Sequence, residues 1–215
     1  FQPDKHPANL PMALGAGSVT PWQMLGGYTV FANGGYRVQP YLIERVTDVD
    51  GRTLMRTTNR TAGDESIRAI DDRNAYIMQS LLDGVATRGT AARASRMLKR
   101  GDIGGKTGTT NNSHDAWFCG YAGGLVAVSW MGYDNPKPLG ARETGGGLAL
   151  PVWIDFMKAE LKGVPEYTRV MPSSVVERDG EVFYRDPVKG AAGAFSDLLM
   201  SGRDEASELV RDQIF

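Results

Sequence analysis

Apolar residues recur at helical spacing in several segments, and the segment nearest the start has clearly marked ends. Thr20 stands at the N-cap position, Pro21 at the first helical position, and Gln23 completes a capping box. Apolar positions continue at helical spacing to Ala32, and Asn33-Gly34-Gly35 then stops the pattern. The chain therefore predicts a helix between residues 20 and 32.

Three later segments also predict helices. Residues 71–89 begin at an Asp71 or Asp72 cap, and residues 91–100 form a short basic segment. Leu150-Pro151 opens a last helix that closes before Gly163. The second and last helices carry apolar stripes that we expect to face the core, namely Tyr76, Met78, Leu81, Leu82 and Val85, and Val152, Ile154, Phe156, Met157 and Leu161.

The middle of the chain predicts three strands, at residues 103–110, 116–122 and 125–133. The segments between them are short turns, so the strands should pair antiparallel in one sheet. With the helices, this pattern predicts an α/β fold of the α+β type, an antiparallel sheet flanked by helices. A Pro- and Gly-rich loop is expected at 135–147.

Turn residues predict two hairpins outside this sheet. Asp50-Gly51 should join strands within 36–49 and 52–56 as a solvated ribbon, and Asp179-Gly180 marks a weaker hairpin. Beyond residue 164 the pattern decays, apart from a mildly amphipathic stretch at 205–214. We therefore predict one domain portion over residues 1–163 and an extension of unknown role over 164–215.

Composition limits the function classes. The 215 residues carry a net charge of -1, with 41% hydrophobic and 23% charged residues, which is ordinary for a globular protein and gives no electrostatic case for nucleic acid. No apolar run is long enough to span a bilayer. Cys119, the only cysteine, lies in an apolar stretch and is expected to be a buried hydrophobe. His6 and His114 stand too far apart to suggest a metal site, and no cofactor is expected.

The segment with the strongest chemical signal is Gly104-Gly105-Lys106-Thr107-Gly108-Thr109-Thr110. Glycines remove side chains from a strand surface, so another backbone can approach closely and pair with the strand edge. Thr107 and Thr109 share one face, while Lys106 and Gly108 share the other. Hydroxyls and an ammonium near one edge suit a ligand that carries a carboxylate.

Three interpretations of this segment compete. A phosphate loop would need a glycine five residues before Gly105, but Arg100 stands there, and a β-like segment rather than a helix follows Lys106. The second is the Lys-Thr-Gly element of serine acyl transferases that recognise penicillin. The third is a glycine-rich structural strand, which three letters alone would not exclude.

The surrounding blocks resemble the C-terminal part of the transpeptidase domain of class A, bifunctional penicillin-binding proteins. They occur in the family's order and cover roughly residues 7–162. The blocks are Ala13 to Met24 (ALGAGSVTPWQM), Tyr28 to Gly35 (YTVFANGG), Gly104 to Asn111 (GGKTGTTN), Asp115 to Phe118 (DAWF), Trp130 to Asp134 (WMGYD), Thr144 to Ala149 (TGGGLA) and Pro151 to Trp153 (PVW).

The resemblance implies an acyl-transfer reaction and roles for four residues. In that family a serine attacks the D-Ala-D-Ala end of a peptidoglycan stem peptide, and β-lactam antibiotics acylate the same serine. Lys106 would support the proton relay around that serine, and the Thr107 and Thr109 hydroxyls would bind the substrate carboxylate. The Thr109 N–H would form half of the oxyanion hole, and Gly108 would keep the strand face clear.

The resemblance extends to neighbouring residues and to the complete protein. His114, Asp115 and Trp117 are possible supporting residues, with turn and core roles as the alternative. The full-length family carries a membrane anchor and a glycosyltransferase domain that polymerises lipid II, which places the complete protein on the outer face of the cell membrane. No metal is implied.

The family's other two motifs, Ser-x-x-Lys and Ser-x-Asn, are absent from the chain. No serine has Lys three residues later or Asn two residues later. Because the chain begins at Phe1, we expect a fragment whose nucleophile lies in the N-terminal half of the same domain, as a companion chain or a removed segment. A degenerate, inactive relative is the alternative explanation.

Two rival functions remain open. A D,D-carboxypeptidase or serine β-lactamase would share Lys-Thr-Gly, but not the contexts Ser18-Val19-Thr20-Pro21 and Trp117-Phe118. A non-catalytic peptide-binding module would use the same strand edge.

Overall fold

The computed structural model describes residues 5, 6 and 8–185. Of these residues, those up to Val170 belong to one compact unit, and those from Met171 to Arg185 belong to a second. The helices are α1 (Pro21–Ala32), α2 (Asp72–Thr87), α3 (Ala92–Leu98) and α4 (Leu150–Glu160), and the strands are β1 (Arg45–Thr47), β2 (Thr53–Arg56), β3 (Gly104–Thr109), β4 (Ala116–Ala122), β5 (Leu125–Met131), β6 (Val175–Arg178) and β7 (Glu181–Tyr184). Among the described residues, no helix is both long enough and apolar enough to cross a membrane.

Strands β3, β4 and β5 form the antiparallel sheet that the sequence predicts, in that order. Lys106 lies opposite Cys119, and Gly108 lies opposite Trp117. Trp117 in turn lies opposite Trp130. Since directly opposed residues share a face, Lys106, Gly108 and these two tryptophans lie on one side of the sheet.

The core lies on the other side of the sheet. Phe118 and Trp153 pack edge to face with ring centroids 4.9 Å apart, and both side chains are buried. The Trp153 indole N–H also donates to the carbonyl of Ala127 at 3.1 Å, so its polar atom is satisfied. Full burial of a phenylalanine contributes roughly 1.5–3 kcal/mol, so this layer fixes the position of the sheet against α4.

Helix α1 begins and ends as predicted. The Thr20 hydroxyl accepts from the Gln23 N–H at 3.2 Å, and the Gln23 side chain accepts from the Thr20 N–H at 2.9 Å, so the capping box is complete. The helix packs on β4 and β5. None of its residues is buried by the part of the chain that the structure describes, although the sequence is apolar apart from Gln23 and Thr29.

The predicted stripe of α2 is confirmed only in part, since Leu82 is buried while Tyr76, Met78 and Val85 are half-buried. Ala75, Gln79, Leu82 and Ala86 are buried, whereas Leu81 is 55% exposed. Gln79 is a polar residue that donates its side-chain amide to the carbonyl of Phe31 in α1. The prediction was based on the largest apolar side chains. In the fold, α2 packs closely against β3 and α1, and the small residues Ala75 and Ala86 allow this close packing.

Helix α4 confirms three of its five predicted core residues. Ile154, Met157 and Leu161 are buried, but Val152 and Phe156 are 46% and 50% exposed. Leu150 and Trp153 take their places in the core. Leu150, Trp153, Ile154 and Met157 have the i, i+3, i+4, i+7 spacing of one helix face. Val152 and Phe156 lie outside that face.

The predicted loop at 135–147 ends earlier than expected. A π-helical turn spans Gly145–Ala149 and continues directly into α4. The Thr144 hydroxyl caps this turn by accepting from the Gly147 N–H at 3.1 Å. The segment is therefore an ordered turn that ends beside β3 and β4.

Both predicted hairpins form. β1 and β2 pair antiparallel and are exposed throughout, as expected for a ribbon, although β1 is much shorter than the predicted 36–49 strand. β6 and β7 pair across Asp179 and Gly180, whose positive φ angles of 53° and 77° suit a tight hairpin turn. The predicted boundary at 163/164 stays a prediction, and the 205–214 stretch lies outside the described residues.

Candidate functional site

A buried ion pair fixes the start of strand β3. Arg100 and Asp102 form two hydrogen bonds of 2.9 and 2.8 Å, and their side chains are only 10% and 6% exposed. Arg100 also donates to the carbonyl of Val164 at 2.7 Å. Asp102 accepts from the N–H groups of Gly123 and Tyr167 at 3.0 and 2.9 Å. The pair thus joins the residues before β3 to the β4–β5 turn and to the segment after α4.

The contacts of Asp102 keep it ionised. Burial by itself would raise the pKa of its carboxyl group, but the hydrogen bond from Arg100 and those from the Tyr167 and Gly123 N–H groups outweigh burial, so the pKa is lowered. The hydrogen bond to Asp102 in turn raises the pKa of the Arg100 guanidinium. Loss of either partner of such a pair is costly, because it leaves the other as a buried charge without its counter-ion.

Two of the glycines in β3 serve packing within the fold. A Cβ atom on Gly104 would overlap the ring of Tyr121. A Cβ on Gly105 would lie 2.7 Å from the Phe118 ring and 2.8 Å from the carbonyl oxygen of Cys119. The expectation that all three glycines leave room for a ligand backbone is therefore wrong for these two, because rings of β4 occupy that space.

At the third glycine, another backbone does approach, and it belongs to this chain. A Cβ on Gly145 would lie 2.5 Å from the carbonyl oxygen of Gly108 and 3.0 Å from its nitrogen. Only a glycine at position 145 permits this approach. The turn that contains Gly145, just before α4, therefore lies directly against the end of β3 at Gly108. Gly108 itself is half-buried.

The hydroxyls of Thr107 and Thr109 each have a protein partner. The Thr107 hydroxyl oxygen lies 2.8 Å from that of Thr90. The Thr109 hydroxyl oxygen accepts from the Gly145 N–H at 3.0 Å, so its own proton remains available for donation. The structure thus brings the two predicted threonines together with Thr90 and Gly145.

Sequence patterns indicate one of these two partners better than the other. Gly145 lies in one of the family blocks, Thr144-Gly145-Gly146-Gly147, but no sequence pattern predicts its contact with Thr109. Thr90 follows the glycine that ends a helix and has no chemical pattern around it. Only packing of the α2–α3 connection beside β3 reveals it.

Lys106 is exposed and lies on the sheet face opposite to the two threonines, as its strand position predicts. Its ammonium donates to the carbonyl of Thr107 at 2.8 Å. An ammonium has three protons, so two remain for other acceptors. The ammonium is thereby held close to the middle of β3.

The residues predicted to support the site stabilise the β3–β4 hairpin. Asp115 accepts from the Trp130 indole N–H at 2.8 Å, and its own N–H donates to the Thr110 hydroxyl at 2.8 Å. Trp117 packs against Trp130 with ring centroids 5.9 Å apart. His114 is half-buried and follows the short turn Asn111–Ser113. These contacts are those of turn and packing residues, and a chemical role stays a prediction.

Cys119 is the buried hydrophobe that the sequence predicts. Its side chain is 2% exposed, and burial raises the pKa of the thiol to about 12. The thiol is therefore protonated at neutral pH and unsuited to nucleophilic attack. Across residues 5, 6 and 8–185, no group of three or more His, Cys, Asp and Glu side chains could hold a metal ion.

Comparison with known proteins gives one consistent family. Residues 7–158 match the family model described as the penicillin binding protein transpeptidase domain. Penicillin-binding protein 1A of Neisseria lactamica is 45% identical over 186 residues, which is 86% of this chain and 23% of that protein. Penicillin-binding protein 1A of Pseudomonas aeruginosa is 38% identical, with 93% of this chain and 30% of that protein covered. The chain thus spans about a quarter of the length of these relatives.

Solved structures agree with this result. The crystal structure of penicillin-binding protein 1A from Haemophilus influenzae matches with a TM-score of 0.77 and 34% identity, over 83% of this chain and 32% of that one. The penicillin-binding protein PonA1 from Mycobacterium tuberculosis matches with a TM-score of 0.64 and 25% identity, over 84% and 47%. The mixed helical and antiparallel fold is therefore shared with these proteins.

Proposed function

The chain belongs to the transpeptidase family of penicillin-binding proteins, and we propose that it supplies the substrate-binding strand of a serine D,D-transpeptidase that cross-links peptidoglycan stem peptides. The observation that carries the proposal is the geometry of β3. This strand pairs with β4 on one side only within the described residues, and it presents two threonine hydroxyls and one lysine ammonium.

The hydroxyls of Thr107 and Thr109 suit the carboxylate that ends a D-Ala-D-Ala peptide. They share one face of β3, and the Gly145 N–H already occupies an acceptor site of Thr109, which leaves the Thr109 proton for the ligand. A hydrogen bond to a charged group contributes roughly 1.5–3 kcal/mol. β-Lactam antibiotics carry an equivalent carboxylate and would bind in the same place.

Lys106 and the end of the strand would serve the chemical step. The Lys106 ammonium adds positive potential near the carboxylate and would support proton transfer at the nucleophile. The Thr109 N–H would form half of the oxyanion hole, and removing one such donor typically costs about 10²–10³ in rate. Gly108 has no side chain that could cover the strand at this point.

We further propose that the nucleophilic serine lies in a part of the protein outside these 215 residues. None of the chain's serines stands in a Ser-x-x-Lys or Ser-x-Asn motif. The chain also spans only 23% of the N. lactamica relative. The complete protein would in addition carry the membrane anchor and the glycosyltransferase domain of class A enzymes, and would act on the outer face of the cell membrane.

Helix α1 offers a surface for the missing part of the domain. A helix that is apolar on all sides is normally buried on all sides. α1 has this composition, yet none of its residues is buried within residues 5, 6 and 8–185, and Trp22 is 46% exposed. A partner that covers α1 would complete the packing around β4 and β5.

Labelling with a fluorescent penicillin tests the proposal. The complete protein should acquire a stable covalent label at a serine outside residues 1–215, because that serine is the nucleophile. The 215-residue chain alone should remain unlabelled. A covalent label on one of its own serines would overturn the proposal. Rapid release of hydrolysed penicillin would instead indicate a β-lactamase, and absence of label from the complete protein would indicate a non-catalytic binding module.

A further inference from the structure

Thr90 touches the strand that we propose to bind substrate, although nothing in the sequence singles it out. Its hydroxyl oxygen lies 2.8 Å from the hydroxyl oxygen of Thr107, and both groups are at an exposed position. Thr90 lies in the connection between α2 and α3, 17 residues before its partner. A side-chain contact therefore joins this connection to the middle of β3.

The backbone around Thr90 is held firmly. The Gly89 N–H donates to the carbonyls of Gly84 and Val85, both at 3.1 Å, and the Ala91 N–H also donates to Val85 at 3.1 Å. A Cβ on Gly89 would lie 2.9 Å from the Cα of Val85, so only glycine permits this close turn. Ala91 is fully buried. The backbone of Thr90 is thus held by residues on both sides, and its side chain reaches Thr107 from this position.

The number of protons on each hydroxyl determines which threonine donates the hydrogen bond when a carboxylate is bound. A hydroxyl has one proton to donate and two lone pairs to accept with. Once Thr107 donates its proton to a carboxylate, it has none left for Thr90, so Thr90 must then be the donor. The chain of bonds runs from Thr90 to Thr107 to the carboxylate, and such chains strengthen each bond through polarisation.

The other hydroxyl of the strand has the same arrangement. The Gly145 N–H donates to the Thr109 oxygen at 3.0 Å, and the Thr109 proton is left to point toward a ligand. With a carboxylate bound, Thr107 and Thr109 would therefore each accept one hydrogen bond from a donor in a different segment of the chain. Without Thr90, the Thr107 hydroxyl would lose the donor that orients it.

We propose that Thr90 is a positioning residue that orients the Thr107 hydroxyl toward the substrate carboxylate. The assignment rests on the proposed function of β3 as the carboxylate-binding strand. Thr90 acts through Thr107 and makes no contact with the reacting atoms. It therefore sets how well the enzyme distinguishes ligands with a free carboxylate from ligands without one.

The test compares acylation of the complete protein by a penicillin and by the methyl ester of the same penicillin. The second-order acylation rate is measured for both compounds, and the ratio of acid to ester is the readout. Thr90→Val removes the hydroxyl and keeps the shape of the side chain. Loss of one net hydrogen bond predicts a roughly 2- to 12-fold lower rate with the acid and an unchanged rate with the ester.

Two further variants separate positioning from folding. Thr90→Ser keeps a hydroxyl and should restore the acid-to-ester ratio. Thr87→Val is the matched control, because it removes a hydroxyl that donates to the Asp83 carbonyl of its own helix at an exposed position of α2. It should leave both rates unchanged. Equal loss with acid and ester in Thr90→Val, or no loss with either, would overturn the assignment.

Failure of the proposed function has a different signature. Thr107→Val should lower the acid-to-ester ratio at least as much as Thr90→Val. If the unsubstituted protein acylates with acid and ester equally fast, β3 does not bind the carboxylate. That result would overturn the proposed function and the role of Thr90 together.

Discussion

Thr109 shows how much of the proposed chemistry depends on single atoms. Its side chain and its main chain have separate assignments, since the hydroxyl would bind the carboxylate while the N–H would stabilise the oxyanion. The Gly145 N–H holds the hydroxyl oxygen at 3.0 Å, so the hydroxyl is oriented before a ligand binds. The two assignments can be separated, because a valine at this position removes the hydroxyl and retains the N–H.

Thr109→Val should therefore weaken carboxylate binding and leave the oxyanion donor in place. We expect the acylation rate of the complete protein with a penicillin to fall roughly 10- to 150-fold, the equivalent of one hydrogen bond to a charged group. Stopped-flow measurement of acylation would check this value, with Thr87→Val as the control. An unchanged rate would exclude the Thr109 hydroxyl from carboxylate binding.

At the scale of elements, strand β3 is positioned by contacts at both ends. Arg100 and Asp102 fix its start through a bidentate pair of 2.9 and 2.8 Å, and the turn at Gly145 rests against its end at Gly108. The rings of Phe118 and Tyr121 occupy the space beside Gly104 and Gly105. These contacts restrict movement of β3 at its start, along its length and at its end. A restricted strand suits a site that must orient a ligand.

Arg100→Ala should be strongly destabilising because it leaves Asp102 as a buried, uncompensated charge. Breaking a buried pair costs about 3–5 kcal/mol of the free energy of unfolding. The control is Arg60→Ala, which removes an exposed ion pair with Asp64 of 3.8 Å and should cost less than about 1 kcal/mol. Urea denaturation of both variants measures the difference, and equal costs would contradict the prediction.

The same pair predicts how stability depends on pH. Asp102 has a lowered pKa in the folded chain, so its contribution is full above the unfolded value of about 3.9 and is lost as the pH falls through the folded value. The gap in stability between the unsubstituted chain and Arg100→Ala should therefore be constant near neutral pH and should narrow below about pH 4. A difference in the free energy of unfolding that grows as the pH falls would contradict the prediction.

At the scale of the whole molecule, α1 is an apolar helix that the described residues do not bury. α1 packs on β4 and β5, but all twelve of its residues keep some exposure. The membership of the chain in a family of longer proteins supplies a reason, since the relatives extend well beyond the matched region. The proposed partner for α1 is the part of the domain that bears the nucleophile.

Trp22→Glu tests this docking surface in the complete protein. A carboxylate placed in an apolar contact is costly, so the variant should lower the melting temperature and reduce labelling by fluorescent penicillin. Leu54→Glu is the control, because Leu54 is 68% exposed on the β1–β2 ribbon and should change neither quantity. Full labelling and an unchanged melting temperature in Trp22→Glu would show that α1 is not covered.

Features that depend only on neighbouring residues could be predicted from the amino-acid sequence. The capping box at Thr20 and Gln23, the hairpin turns and the alternation of Lys106 with Thr107 are local, because a few adjacent residues fix each geometry. The order of the motif blocks was likewise sufficient to indicate the family, and the family match over residues 7–158 confirmed it.

Which helix faces are buried, and which distant groups are in contact, became clear only from the packed fold. The core face of α2 passes through two alanines instead of the larger Leu81, because close approach to β3 and α1 favours small side chains. Thr90 and Thr107 stand 17 residues apart, and Thr109 and Gly145 stand 36 apart. No local pattern encodes such contacts, since they exist only once helices and strands have packed.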